Sequence, residues 1–295
     1  MSRVVVVRLC GLVLYLCATL AGAATLAQRI NALNPPIVAS PFGIPLHLQS
    51  VEQDNQVRGE VLAIVPYPLS AIRANLDSPA EWCAVLILHL NVKGCGYASD
   101  GDRIRLEMGR KSASTGNSSK GIEFSFSAGN GSATSLLVVL AADSGPLDTR
   151  DYRLEFEAAP RDASHSYVRL SYTYQVGAAT RFATGTYLQT LGRDKVGFTI
   201  TGHDSDGEPQ YVGGLRGILE RNTMRYYLAV DVYLASVGGT GGAQSSTRQT
   251  GSLFAAWYDA TERYPQQLHE MSRKDYLDAK KAERPFRLSE SADNR

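Results

Sequence analysis

The densest cluster of chemically capable side chains lies at residues 215–227, which read Leu-Arg-Gly-Ile-Leu-Glu-Arg-Asn-Thr-Met-Arg-Tyr-Tyr. Arg216 and Glu220 are four residues apart, as are Arg221 and Arg225, so on a helix each pair shares a face. An arginine fork binds a carboxylate or phosphate through two parallel hydrogen bonds, and a glutamate accepts from a hydroxyl. Arg216, Glu220, Arg225 and the adjoining Tyr226 are therefore candidates for holding the polar end of a ligand. The plainer alternative is a solvated salt-bridge face, contributing roughly 0.2–0.5 kcal/mol per pair.

A second set is aromatic. Phe124 and Phe126, Tyr152 and Phe156, and Leu170, Tyr172 and Tyr174 alternate with polar residues, which puts each group on one face of a strand. Such a face could wall an apolar pocket, with tyrosine hydroxyls orienting a polar head; it could equally be filled core. His203-Asp204-Ser205-Asp206-Gly207 looks like a metal loop. It lacks the further acids and distant glutamate of a calcium site, so it reads as a hairpin turn on Asp-Gly. The five histidines are scattered. No zinc-protease, nucleophile-elbow or phosphate-loop pattern occurs. No metal and no cofactor are expected.

The first 23 residues read as a signal peptide. Arg3 and Arg8 precede an uncharged, mostly apolar run of 12 residues, Leu9 to Leu20, and Ala21-Gly22-Ala23 offers a cleavage site. The run is shorter than the roughly 20 residues that span a bilayer. Cleavage predicts a mature chain from Ala24, periplasmic or secreted, with no membrane span. Loss of Arg3 and Arg8 from the 30 basic residues sets 28 against 29 acids, a net charge of about −1. Nothing in that balance draws the protein to nucleic acid or an anionic membrane. Cys10 and Cys17 leave with the signal; Cys83 and Cys95 remain, and an oxidising compartment favours a disulfide between them.

The elements that would position these residues follow from periodicity. A short helix is expected at 24–33, ended by Asn34-Pro35-Pro36. Strands at 46–51 and 57–65 flank the turn residues Asp54-Asn55-Gln56. Pro68 and Ser78-Pro79 each start a short helix, the second running to about Leu90. From Arg103 the period becomes two. Strands are expected around 103–108, 122–126, 136–140, 152–156, 168–176 and 196–200, as in an antiparallel sheet with one face covered. A helix or broken strand at 179–191 interrupts the series. The longest helical stretch is 211–237. A flexible linker at 238–251, helices at 253–264 and 275–283, and a disordered end complete the chain.

The order is hairpin, two short helices, antiparallel strands, then a long helix. It resembles the START-type helix-grip superfamily, in which a curved sheet wraps a long C-terminal helix around an apolar cavity. Residues 57–66, Val-Arg-Gly-Glu-Val-Leu-Ala-Ile-Val-Pro, the helix opening Leu69-Ser70-Ala71-Ile72, and Trp82 are similar to that family's opening. The resemblance spans about residues 44–237 and implies an α+β helix-grip domain at 24–237, with a helical tail at 252–295. It implies a binding protein that holds an apolar ligand, a lipid or fatty acid, between sheet and helix. Phe124, Phe126, Leu170, Tyr172 and Tyr174 would form the walls, and Arg216, Glu220, Arg225 and Tyr226 the polar end. Two other readings stay open: a cyclase or hydrolase on the same scaffold, and an envelope interaction protein whose segment 252–283 docks a partner.

Overall fold

A computed structural model describes residues 24–33, 35–109, 120–132, 134–178, 181, 195–238, 247–281, 283 and 285–287. The expected signal peptide, most of the expected 179–191 element, most of the expected linker and the last eight residues lie outside them.

Alternation of side chains builds the sheet. Strands β1 (Leu46–Gln53) and β2 (Gln56–Val65) form the expected hairpin, with Asp54 in the left-handed region at φ 52°. Two short helices follow, α2 (Leu69–Leu76) and α3 (Pro79–Leu86), after α1 (Leu26–Asn31) at the N-terminus. Thr25 caps α1, its hydroxyl accepting from the Gln28 amide while the Gln28 side chain accepts from the Thr25 amide. This reciprocal box satisfies two amides that a helix start otherwise leaves open. Then come β3 (Val92–Tyr97), β4 (Arg103–Met108), β5 (Lys120–Ser132), β6 (Ser135–Ser144), β7 (Thr149–Pro160) and β8 (Ser166–Val176). The sheet runs β1-β2-β8-β7-β6-β5-β4-β3, antiparallel throughout. A short last strand, β11 (Pro285–Arg287), pairs in parallel with β3.

The long helix α4 (Gly214–Gly238) lies across one face of this sheet. This is the helix-grip arrangement. Its approach is closest at β2, where a Cβ on Gly59 would sit 2.2 Å from the Thr223 hydroxyl oxygen. Only a residue without a side chain lets the helix backbone come so near. Leu154, Phe156, Leu170 and Leu219 all lie in the core between sheet and helix. The outer face of the sheet carries a smaller apolar cluster of Leu26, Ile30, Ile37, Leu62, Ile64 and Tyr167, which holds α1.

Three expectations need correction. The alternating residues 196–200 do not join the main sheet. Strand β9 (Ile200–His203) instead pairs with β10 (Pro209–Tyr211) in a separate hairpin around His203–Gly207. Gly207 has φ 84°, and the Asp204 carboxylate accepts from the amides of Asp206 and Glu208, so that segment is a turn. Phe198 packs on Phe42 and Tyr264 with ring centroids 5.6 and 5.7 Å apart. The second correction is α3, which stops at Leu86, before the buried strand β3.

The third concerns the C-terminal part. Helix α5 (Thr247–Thr261) begins inside the expected linker, and with α6 (Pro265–Leu268) and α7 (Arg273–Lys280) it closes over the protein. Trp257, Leu268 and Tyr276 are buried in the same core as the sheet. The indole of Trp257 donates to the Arg225 carbonyl at 3.1 Å, and the Tyr276 hydroxyl to the Leu88 carbonyl at 2.7 Å. The apolar faces at 252–283 are thus packed internally. The disulfide Cys83–Cys95 joins α3 to β3, with Cα atoms 5.3 Å apart.

Candidate functional site

A cavity of about 80 Å³ lies between the concave face of the sheet and the helices α3 and α4. Strands β4 to β8 supply most of its wall: Leu106, Met108, Ile122, Phe124, Leu140, Tyr152, Leu154 and Tyr172. Leu86 of α3, Tyr226 of α4 and Pro146 complete it. Curvature of the sheet leaves this space because α4 grips β1, β2 and β8 more closely than the strands beyond. A single water-sized sphere occupies roughly 10–15 Å³, so the cavity takes a molecule of about six heavy atoms.

Three tyrosines mark its polar side. Tyr152, Tyr172 and Tyr226 all face the cavity. Tyr172 and Tyr226 meet edge to face with centroids 5.4 Å apart, and Tyr152 stacks on Tyr174 at 5.4 Å. The Tyr152 hydroxyl donates to Thr149 Oγ1 at 2.6 Å, which in turn donates to the Pro146 carbonyl at 2.5 Å. Among the described residues none hydrogen-bonds the hydroxyls of Tyr172, Tyr174 or Tyr226. Burial pushes the Tyr172 phenol well above its ordinary pKa, and the neighbouring phenols of Tyr226, Tyr152 and Tyr174 add to this. Burial, then Tyr152, raises Tyr226 against a smaller opposing effect of Arg225. These groups therefore stay neutral and present O–H donors.

Of the residues singled out in the sequence, Phe124, Tyr172 and Tyr226 line the cavity. Phe126, Leu170 and Tyr174 are buried in the same core without lining it. Leu170 sits in register between Val61 and Phe156, filling the sheet–helix interface.

The charged residues of α4 are elsewhere. Glu220 is fully buried and accepts four hydrogen bonds: from the Ser50 hydroxyl at 2.5 Å, the Thr199 hydroxyl at 2.7 Å, and the amides of Phe198 and Thr199 at 2.6 and 2.9 Å. Arg216 Nε donates to the Ser50 oxygen at 3.0 Å, so Arg216 and Glu220 meet through Ser50 and not as an ion pair. Arg225 pairs with Glu270 at 2.8 Å and donates to the Leu268 carbonyl at 3.2 Å, which fixes the turn between α6 and α7. The expected polar end thus serves as fastening. The physical reason is that α4 is covered by the sheet on one side and by α5 on the other, so its charges must be matched within the fold.

Tyr152, part of the inward aromatic face read from the sequence, belongs to the cavity wall, and so do Met108 and Leu86, which that reading did not single out. Strand alternation marks Tyr152 and Met108 as inward-facing, whereas Leu86 depends on how α3 docks, for which the sequence carries no periodic signal. His89 lies behind the site, stacked on Tyr226 with ring centroids 4.8 Å apart. Burial, with the charges of Arg225 and Lys280, holds its pKa well below the ordinary value. Its Nδ1 accepts from the Asn91 amide at 3.2 Å. Among the described residues no group of three or more potential metal ligands converges, and no helix is long and apolar enough to cross a membrane.

No family model matches the chain, and no curated protein is similar to it. Solved structures are similar to parts of the chain at low identity. A conserved protein from Geobacillus kaustophilus is 8% identical, covering 61% of this chain and 96% of its own, at a TM-score of 0.35. Norcoclaurine synthase from Thalictrum flavum is 14% identical over 48% of this chain and 82% of its own, with a TM-score of 0.33. Human STARD10 is 6% identical over 50% and 68%, with a TM-score of 0.32.

Proposed function

We propose that this protein is a non-catalytic binding protein that holds a small apolar molecule in the cavity between sheet and helix. It works outside the cytoplasm, in a bacterial periplasm, and needs no cofactor. The observation that carries the reading is the cavity itself, about 80 Å³ in volume and walled by aliphatic and aromatic side chains. Moving apolar surface from water into such a space is favourable by roughly 25 cal/mol per Å². Sites for drug-sized ligands run from about 300 Å³ upwards, so the ligand is smaller than the lipid or fatty acid that the family resemblance implies. Met108, which is unbranched and partly exposed at the wall, gives the site some adaptability. The extracytoplasmic placement is supported by the residue pattern at 1–23 and by the pairing of Cys83 with Cys95.

The test is a methyl-resolved NMR titration with benzene, and with palmitate for comparison. Benzene should shift the Met108 and Leu154 methyl signals saturably, and palmitate should not. A well-folded sample whose cavity methyls respond to no apolar probe would overturn the binding reading. N-terminal sequencing of the exported product should begin at or within a few residues of Ala24; a product that begins at Met1 would refute export.

A further inference from the structure

The geometry points to a neutral hydrogen-bond acceptor, such as a ketone or aldehyde oxygen, as the polar group of the bound molecule, received by the hydroxyls of Tyr172 and Tyr226. This rests on the cavity reading and adds to it the chemical class of the ligand. Tyr226 is buried, at 6% exposure, and Tyr172 is half-buried and lines the same cavity. A buried hydroxyl ordinarily finds a partner, because leaving it without one costs free energy. Among the described residues neither hydroxyl has one, although both side chains reach the same cavity. Tyr152, the third phenol there, is committed to Thr149 as a donor. The site therefore holds two uncommitted O–H donors, on rings whose centroids lie 5.4 Å apart, and one phenol oxygen that can only accept.

This donor-rich arrangement selects against two other ligand classes. A carboxylate would enter an environment in which no lining residue is cationic, and an anion desolvated without a counter-charge is strongly disfavoured. Arg225, the nearest cation in the sequence cluster, is engaged by Glu270 and the Leu268 carbonyl. A pure hydrocarbon would fill the space but leave both hydroxyls without acceptors. A neutral carbonyl satisfies both, since its oxygen has two lone pairs. Burial raises the pKa of both phenols above the ordinary value, so the donors stay protonated at neutral pH.

The experiment compares three probes of six heavy atoms by NMR titration of the purified protein: cyclopentanone, its hydrocarbon counterpart methylenecyclopentane, and butyrate. A neutral hydrogen bond changes affinity by about two- to tenfold. Cyclopentanone should bind at least fivefold more tightly than methylenecyclopentane, and butyrate more weakly than either. Tyr172→Phe and Tyr226→Phe should each lower the ketone-to-alkene affinity ratio two- to tenfold, and the double variant should bring it to about one or below. Neither substitution should lower the melting temperature, because each removes a hydroxyl without a protein partner; a large loss of stability would mean that the hydroxyls are already satisfied, and would overturn the inference. Equal binding of ketone and alkene, a ratio unmoved by both substitutions, or preferred binding of butyrate would overturn it too, while leaving the cavity reading in place. If no probe binds, the cavity reading fails and the inference falls with it.

Discussion

Glu220 gives the sharpest test of which charged residues of α4 serve the fold. Its carboxylate is fully buried and, among the described residues, has no cation in hydrogen-bonding contact; four donors hold it. Two of these, the hydroxyls of Ser50 and Thr199, can rotate to other acceptors. The amides of Phe198 and Thr199 cannot. In Glu220→Ala both amides lose their acceptor, at about 1–3 kcal/mol each where water does not replace it. The segment is half-buried, which lowers that sum, while the space left by the side chain raises it. The expected loss is about 3–5 kcal/mol. Glu220→Gln keeps the volume and one acceptor oxygen but turns an NH₂ group toward a donor, so about 1–3 kcal/mol is expected.

Urea unfolding gives the global loss, and amide hydrogen exchange at Phe198 and Thr199 shows where it originates. Glu220 is what fastens the 195–212 segment to α4 and β1, so those amides should lose protection before the rest of the core. A Glu220→Ala protein within about 1 kcal/mol of wild type, with Phe198 and Thr199 as protected as before, would refute the fastening role. If Glu220 instead met a ligand, Glu220→Gln would leave stability unchanged and weaken binding, an outcome the same samples can reveal.

Replacing both Cys83 and Cys95 by serine should lower stability by roughly 2–4 kcal/mol, chiefly by freeing the unfolded chain; an unchanged urea midpoint would contradict this. On the outer sheet face, burial pushes the Glu60 carboxyl up, but Arg29, Arg58, Gln49 and Arg169 outweigh it and hold its pKa below the ordinary value. Its folded pKa being the lower, its contribution is complete above the unfolded value of about 4.5 and lost as pH falls through the folded one. The stability difference between wild type and Glu60→Gln should therefore be constant above about pH 4.5 and shrink as the pH falls below it; a difference that stays constant on acidification refutes the assignment.

Much of the sheet was legible because its two faces meet different surroundings. Tyr152, Leu154 and Phe156 point inward while Arg153, Glu155 and Glu157 point out, where Arg169 bridges Glu155 at 2.8 Å and Glu157 at 3.2 Å. That contrast of environment is what a period of two records. Strand β3 gave no such signal. Its residues Val92 to Gly96 are all buried, and two of them are glycines, so no polar face remains to alternate. The residues 196–200 do alternate, yet Phe198 is drawn to Phe42 and Tyr264 and the chain leaves the sheet. Alternation reports a difference between faces and does not say which neighbour covers them.

The same limit explains why the site residues divided as they did. The spacing of Arg216, Glu220, Arg221 and Arg225 is that of a solvated helix face, and the sequence holds no sign that α5 will cover it. Once Trp257 and Tyr276 pack behind α4, each charge there needs a partner within the fold, and Ser50, Thr199 and Glu270 supply them from distant segments. A side chain so fastened cannot also release a ligand without loosening the structure that holds it. Tyr172 and Tyr226 are under no such demand, since among the described residues nothing hydrogen-bonds their hydroxyls, and both side chains line a space the core does not fill. On the proposed reading, selectivity in this cavity rests with neutral donors on the sheet and helix, and the charged cluster keeps the helix in place above them.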